Sequence, residues 1–446
     1  MILYRIVAYT FVVILLAGLA PPQLAAAAGG EASHGFGPIL CAFALLVLAA
    51  KAGGILAERL GQPAVLGELL VGVGLGNLLS GLFEGRGIAF LRSDPVLLFS
   101  AEVGVLILLF DVGLETDLRA LLRAGWSSLR VAVIGVVAPM VLGWGASAWL
   151  LPGSPPLTHT FVGAALAATS VGITSRVLKD LGVMQSSEAQ IILGAAVIDD
   201  VLGLMILAVV SGAATTGDAG LSVFTIASIV LRAVLFLGIT IGLGRLLSGS
   251  IVRLVARIGH PGLLLVVGLA LCFILAFAAE LVGLAGIIGA FAAGLLLDPH
   301  GEGIRAREEE PTLSELMHPL SALFVPLFFV LMGIGVNVIS FASPAILGLG
   351  AVLVFFAIIG KLACGLGVRR GSASRLAVGI GMIPRGEVGL IFAGIGIRLA
   401  VDGRPVLPEA IFSAIVLMVL LTTVVAPIGL RWAFSRHGRA MQASSH

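Results

Sequence analysis

Charged residues are scarce in this chain of 446 residues: they make up 11% of it, against 59% for hydrophobic residues. A soluble domain of ordinary composition carries about 25% charged residues. Together with a mean hydropathy of +1.16, this scarcity excludes an ordinary soluble domain and a disordered chain. The net charge is only +2, and the basic residues are spread over short segments. No basic patch is therefore available for nucleic acid.

Cysteine is also sparse. The three cysteines, Cys41, Cys272 and Cys364, each stand alone in an apolar run. Their spacing excludes a disulfide framework and a cysteine-based metal site. We interpret each as a small buried hydrophobic residue. No motif calls for a cofactor, so none is expected.

Apolar runs about twenty residues long, each sufficient to cross a bilayer core of about 30 Å as a helix, recur along the chain. We therefore predict an all-α polytopic membrane protein with thirteen transmembrane spans. The predicted spans are 36–57, 64–80, 95–114, 131–151, 159–178, 188–212, 222–246, 261–280, 282–298, 314–338, 343–367, 374–398 and 408–433.

Residues 1–28 combine Arg5, an apolar run and Pro21-Pro22, a pattern typical of a cleaved signal peptide. A retained extra helix is the alternative. Cleavage would place the new N-terminus outside and the C-terminus in the cytoplasm. Of the 26 lysines and arginines, 18 would then lie on the inner side and 4 in outer loops. This bias agrees with the positive-inside rule.

Asp199 and Asp200 stand side by side in the middle of the span 188–212. A central charge costs about 2.5 to 3.5 kcal/mol on insertion scales, so the pair indicates an ion or proton pathway. Adjacent side chains on a helix point about 100° apart, so one carboxylate can meet a fixed partner while the other faces a cavity. Lys361, the only lysine deep inside a span, is the natural counter-ion. The pair could open when the carboxylate binds a proton or cation, or it could be a permanent structural salt bridge.

Two spans contain interruptions. The fifth has Thr169 and Ser170 in a cluster of small polar residues, and the twelfth has Pro384 among glycines. Broken helices at matching places in two halves indicate a transporter's ion site. Arg385 and Glu387, which follow the proline, could neutralise each other or the ends of the half-helices.

At this point the chain resembles the monovalent cation:proton antiporters, within the branch that carries an Asp-Asp pair. It looks similar to bacterial sodium/proton antiporters of the thirteen-helix type. The motifs that carry the resemblance are Gln62 to Glu68, Gly113-Leu114-Glu115, Ala168 to Thr174, Gly194 to Gly203, Gly360-Lys361 and Pro384 to Ile391.

The resemblance implies an inverted-repeat fold with two crossed broken helices and an elevator-like movement. A dimerisation domain would comprise 36–114 and 261–338, and a core ion-translocation domain 131–212 and 343–433. Residues 222–246 would form a linker helix. The protein would be a homodimer in the bacterial inner membrane, with the lipid bilayer as its surroundings.

The resemblance also implies the roles of the site residues. Asp200 would carry the cation, Na⁺ or Li⁺, and the proton, while Asp199 would pair with Lys361. Thr169 and Ser170 would line the ion site. Arg385 and Glu387 would support the crossing. Asp111 departs from the family pattern, where a hydrophobic residue is commoner, and a secondary ion or proton role is one interpretation of it.

We therefore predict a secondary Na⁺(Li⁺)/H⁺ antiporter rather than an enzyme. If two protons move for each cation, exchange is electrogenic. A K⁺/H⁺ antiporter is the alternative within the same class. From other classes, an ion channel or sensor would also keep a charged pathway. A membrane aspartyl protease would need both carboxylates on one water, which neighbouring residues of one helix do not easily provide.

Overall fold

The structure is a computed structural model. It describes residues 36–82, 91–92, 94–115, 125–184, 186–215, 223–258, 260, 262–297, 312–336, 338, 343–369, 373–401 and 404–444. The predicted signal peptide, 1–28, lies outside the described residues, so its cleavage stays a prediction.

Helices account for nearly all of the described chain. The α-helices are α1 Phe36–Arg59, α2 Ala64–Leu82, α3 Pro95–Glu115, α4 Trp126–Leu150, α5 Pro156–Ala167, α6 Val171–Asp180, α7 Ser187–Thr215, α8 Val223–Ile258, α9 Leu263–Leu281, α10 Gly286–Leu296, α11 Leu313–Ile334, α12 Pro344–Leu362, α13 Arg375–Gly381, α14 Glu387–Arg398 and α15 Glu409–Ser444. A 3₁₀ turn, Ala363–Gly367, continues α12. Two short strands, β1 Ala400–Val401 and β2 Arg404–Pro405, form an antiparallel pair in which Ala400 faces Pro405.

Among the described residues, nine helices are long and apolar enough to cross a membrane. Ala64–Leu78, Gly286–Leu296 and Val388–Arg398 are shorter apolar helical segments. Helices fit this composition because a spanning segment must satisfy every backbone polar group internally. The all-α membrane fold is thus confirmed, while the number of thirteen crossings stays a prediction.

Both predicted interruptions are present. The fifth span consists of α5 and α6, separated by residues 168–170, and the twelfth consists of α13 and α14, separated by 382–386. The structure therefore confirms that these two segments are broken at the positions where the sequence has its small polar cluster and its proline.

The chain divides by packing into two compact units. One comprises residues 1–108 and 318–339, and the other comprises 109–317 and 340–446. This is a division by contacts, and it places α9 and α10 in the second unit. The division into dimerisation and core domains by function stays a prediction.

In the first unit, α1 and α2 pack closely because Gly53 and Gly67 face each other, and a Cβ on either would meet the other's backbone. The buried core of this unit is apolar. It is formed by Leu46, Ala49, Ala50, Leu75, Leu91, Leu97, Leu327, Val330 and Ile334.

In the second unit, α4 lies against α5, α7 and α12, and α15 packs on α12, α13 and α14. Helix α7 also contacts α5, the first half of the fifth span, and α14, the second half of the twelfth span. Helix α7, which carries the acidic pair, is therefore packed against one half of each broken span.

Candidate functional site

A buried ion pair joins α7 to the end of α12. Lys361 Nζ lies 3.1 Å from Asp199 Oδ1 and 3.4 Å from Oδ2. Lys361 is fully buried and Asp199 is 2% exposed. Two charges removed from water are stable only while they remain paired, since either one alone is strongly destabilising there.

The surroundings of this pair are apolar and tightly filled. A core of buried residues packs around α7 and the 3₁₀ turn, and it includes Val131, Ala132, Ala195, Cys364 and Met382. Gly135 on α4 leaves the room that the ammonium occupies. A Cβ at Gly135 would lie 3.5 Å from Lys361 Nζ and only 2.8 Å from Cys364 Sγ. The absence of a side chain at position 135 is therefore part of the geometry of the ion pair.

Asp200 occupies a different environment from its neighbour, because it is only partly buried. Gly203 follows it by three residues and therefore lies on the same face of α7. A Cβ at Gly203 would lie 4.0 Å from Val388, in the first turn of α14. The face of α7 that carries Asp200 is thus directed toward the start of the second half of the twelfth span.

The two interruptions touch each other. The backbone N–H of Ser170 donates to the carbonyl of Pro384 at 2.8 Å. Gly386 permits this approach, because a Cβ there would lie 2.6 Å from Ser170 Oγ. Thr174 Oγ1, in α6, donates to the carbonyl of Gly381 at the end of α13, at 2.8 Å. In both bonds the fifth span donates to a backbone carbonyl of the twelfth span, so the two interruptions are joined directly.

Arg385 is fully buried at this contact. Its guanidinium donates to the carbonyls of Ile383 at 2.7 Å, Leu166 at 2.6 Å and Ala357 at 3.0 Å. Leu166 lies in the last turn of α5, and Ile383 follows α13, so the cation lies at the negative ends of two half-helices. The guanidinium thus interacts with the ends of the half-helices, as one of the two interpretations from sequence predicts. The side chain of Glu387 lies outside the described residues, and its predicted role stays a prediction.

Thr169 is the candidate ligand with an unused polar atom. It is 2% exposed, and its Oγ1 has no hydrogen-bond partner in the described part of the chain. Buried polar atoms almost always have a partner, so this hydroxyl is available to a ligand. Ser170, beside it, is 1% exposed. Hydroxyl, carboxylate and freed backbone oxygens are the hard donors that a small monovalent cation takes.

Oxygen donors of this kind suit a hard cation better than a soft transition metal. Within the described ranges, no group of three or more His, Cys, Asp or Glu residues could hold a metal ion. Asp111, the departure from the family pattern, lies half-buried on α3. Its role stays a prediction.

Some contributors to the site were missed by sequence reasoning. Glu188, 6% exposed at the start of α7, accepts the backbone N–H of Ser374 at 2.7 Å, and Ser374 is the N-cap of α13. Thr423 Oγ1 donates to the carbonyl of Arg385. An acid in the first turn of a helix is a recognisable signal, whereas Thr423 has no local pattern that marks it.

Known proteins show which family has this arrangement. A family model described as "Sodium/hydrogen exchanger, transmembrane" matches residues 40–436. The chain is 39% identical to the high-affinity Na⁺/H⁺ antiporter NhaS3 of Synechocystis sp., over 89% of this chain and 90% of that protein. It is 35% identical to the Na⁺/H⁺-K⁺ antiporter GerN of Bacillus cereus, over 90% of this chain and 97% of that protein.

A solved structure shares the fold. The sodium proton antiporter MjNhaP1 of Methanocaldococcus jannaschii superposes with a TM-score of 0.65 at 17% identity, covering 88% of this chain and 96% of that one. The relatives and the family model agree on a membrane transporter, as the sequence motifs predicted. The chain therefore belongs to the transmembrane sodium/hydrogen exchanger family.

Proposed function

We propose that the protein exchanges cytoplasmic Na⁺ or Li⁺ for external protons, with Asp200 as the carrier. The observation that carries the proposal is the division of the acidic pair. Asp199 is buried against Lys361, while Asp200 is partly exposed on the face of α7 that leads to the broken spans. The two carboxylates therefore have different surroundings, and the partly exposed Asp200 is our candidate for the carrier.

Exchange follows from competition for one carboxylate. A cation at Asp200 would complete its shell with the hydroxyls of Thr169 and Ser170, freed backbone carbonyls and water. A proton on Asp200 removes the negative charge that attracts the cation. The site therefore carries either a proton or a cation, and the two move in opposite directions when the site is exposed alternately to the two sides.

The pair Asp199 and Lys361 supplies the switch in this proposal. If a cation draws Asp199 away from Lys361, the ammonium loses its counter-charge in an apolar environment and can release a proton. Two protons would then be exchanged for one cation. Such a cycle is electrogenic, and each net charge gains about 2.3 kcal/mol per 100 mV of membrane potential.

The movement that we propose is an elevator-like displacement of a core made of 131–212 and 343–433, with thirteen spans in an inverted repeat. Residues 36–114 and 261–338 would form the dimerisation domain of a homodimer, and 222–246 the linker. After removal of a signal peptide, the N-terminus would lie outside and the C-terminus in the cytoplasm. The excess of basic residues on the inner side supports this orientation.

Proteoliposomes with an imposed pH gradient test the proposal. We expect Na⁺ and Li⁺, added in turn at a series of pH values from about 6 to 9, to dissipate the gradient. Protein-free liposomes and an ionophore-collapsed gradient give the baseline. If no alkali cation dissipates the gradient at any pH in this range, the antiporter proposal is wrong.

K⁺/H⁺ exchange is the second candidate, and one observation favours it. GerN, at 35% identity, is described as a Na⁺/H⁺-K⁺ antiporter. Adding K⁺ in the same assay, alone and in competition with Na⁺, separates the candidates.

A channel would give a different result. When valinomycin and K⁺ clamp the membrane potential, a channel lets the cation cross but leaves the pH gradient in place.

A further inference from the structure

We propose that the exposed face of α4 binds one anionic phospholipid, whose headgroup phosphate is held by Arg130 beside Trp126. This goes beyond ion exchange, because it assigns a lipid site to a surface that takes no part in the ion site.

One face of α4 is left open along its whole length. Its exposed members stand three, four or seven residues apart, as expected for a single stripe. They are Trp126 at 79%, Val133 at 43%, Val137 at 53%, Val141 at 63% and Trp144 at 44% exposure. The opposite face, which includes Val131, Gly135 and Gly143, is buried against the rest of the unit. The stripe is apolar, and in a bilayer it is a surface for acyl chains.

The spacing of two exposed tryptophans near the ends of α4 matches the spacing of the membrane interfaces. At 1.5 Å per residue, Trp126 and Trp149 lie about 35 Å apart along the helix axis, slightly more than a hydrocarbon core of about 30 Å. Tryptophan is enriched at the level of the lipid headgroups on both sides. Trp126 therefore lies at one headgroup layer, and the valines extend from it into the hydrocarbon.

Arg130 lies one turn from Trp126 on the same face and is exposed. Its Nε donates to the carbonyl of Trp126 at 3.2 Å, which holds the guanidinium beside the tryptophan. A planar guanidinium can form paired hydrogen bonds with phosphate. An arginine at the edge of the hydrocarbon extends its head toward the headgroups. The side chain is thus suited to a lipid phosphate.

Further positive charge converges on this end of α4. The backbone at Arg130 and Val131 packs against Gly367, so Arg369, two residues after that glycine and exposed, is brought to the same end. Arg375 donates from Nε to the carbonyl of Val368 at 3.1 Å. Three arginines therefore lie near the headgroup layer, and they favour an anionic lipid over a zwitterionic one.

Native mass spectrometry of the full-length detergent-solubilised protein tests the inference. We expect phosphatidylglycerol to be retained more strongly than phosphatidylcholine of the same acyl chains. Arg130→Gln should weaken the binding of phosphatidylglycerol about tenfold, the loss of one charge-assisted phosphate contact. Arg130→Lys should keep part of the preference, and Trp126→Ala should weaken both lipids. Arg257→Gln, which removes an exposed arginine at the end of α8, is the matched control and should change nothing.

Four results would overturn the inference, and the first three concern the two lipids: equal retention of the two lipids by the wild-type protein, an unchanged preference in Arg130→Gln, or an equal loss in Arg257→Gln. Inorganic phosphate is the third probe. Complete displacement of the lipid by millimolar phosphate would show an anion site rather than a lipid site, and would also overturn it. The measurement needs no transport, so its failure is distinguishable from a failure of the antiporter proposal.

Discussion

Lys361 Nζ lies 3.1 Å from Asp199 Oδ1, and the two side chains are 0% and 1% exposed. These two residues are 162 positions apart in the sequence, so the contact links the two halves of the second unit. Because both charges are removed from water, the stability of this unit depends on their remaining paired.

Removing one charge of the ion pair should lower the free energy of unfolding more than removing both charges does. Asp199→Asn leaves the ammonium without its partner, and we expect a loss of about 3 to 5 kcal/mol in unfolding free energy. The double variant Asp199→Asn with Lys361→Met removes both charges and should recover much of that loss. Thermal unfolding of the wild type, the single variants Asp199→Asn and Lys361→Met, and the double variant in detergent gives the coupling energy. Additive losses in the double variant would show that the two side chains do not stabilise each other.

Gly135→Ala should disturb the same pair from α4. The added methyl group would lie 2.8 Å from Cys364 Sγ and 3.5 Å from Lys361 Nζ, so a neighbour must move. Overpacking of this kind costs about 1 to 3 kcal/mol. Gly145→Ala is the matched control, because it lies on the same helix and a Cβ there meets nothing within 4 Å. We expect the melting temperature to fall for Gly135→Ala and to stay or rise for Gly145→Ala.

Arg385 should contribute more to the free energy of unfolding than any single hydroxyl at the contact between the broken spans. Arg385→Met leaves the carbonyls of Leu166, Ile383 and Ala357 without this donor, at about 1 to 3 kcal/mol for each buried group. Thr174→Val removes one bond, to Gly381, and should cost about 1 kcal/mol. Chemical or thermal unfolding of both variants ranks them. If Thr174→Val lost as much unfolding free energy as Arg385→Met, the guanidinium would not be the main stabilising group at this contact.

Competition at Asp200 predicts how cation affinity changes with pH. Lowering the pH increases the fraction of Asp200 that carries a proton, so more Na⁺ is needed for half-maximal exchange. Where protonation dominates, the half-saturating Na⁺ concentration should rise about tenfold for each unit of falling pH if Na⁺ displaces one proton, and about a hundredfold if Lys361 releases a second. The maximal rate at saturating Na⁺ should change little. Initial rates in proteoliposomes over a matrix of Na⁺ and pH measure this. A half-saturating concentration that is independent of pH would rule out a shared site.

Much of the fold could be predicted from the sequence, because apolar length and local breakers are local signals. The runs 36–57 and 95–114 predicted helices that the structure bounds at Phe36–Arg59 and Pro95–Glu115. Small polar residues around Thr169 and the proline at 384 correctly marked the two interruptions, since both weaken a helix where they stand.

The partners of Arg385 could not be predicted in the same way. Its acceptors are backbone carbonyls, which every residue has, and one of them belongs to Leu166, 219 positions away. The role of Gly135 could not be predicted either, because glycine is common in membrane helices. Gly135 matters because Lys361, on another helix, lies against it. Long-range contacts of this kind depend on packing, and no local pattern encodes them.

The exchange activity of the Asp200→Asn variant is the most direct test of the proposal that Asp200 carries the cation and the proton. The substitution keeps the size of the side chain but removes the charge that would bind a proton or a cation. In proteoliposomes, we expect Na⁺-dependent dissipation of the pH gradient to fall to the level of protein-free liposomes, with a melting temperature near that of the wild type. Glu102→Gln, which removes an exposed acid from α3, should exchange normally. Exchange by Asp200→Asn at the wild-type rate would contradict the account.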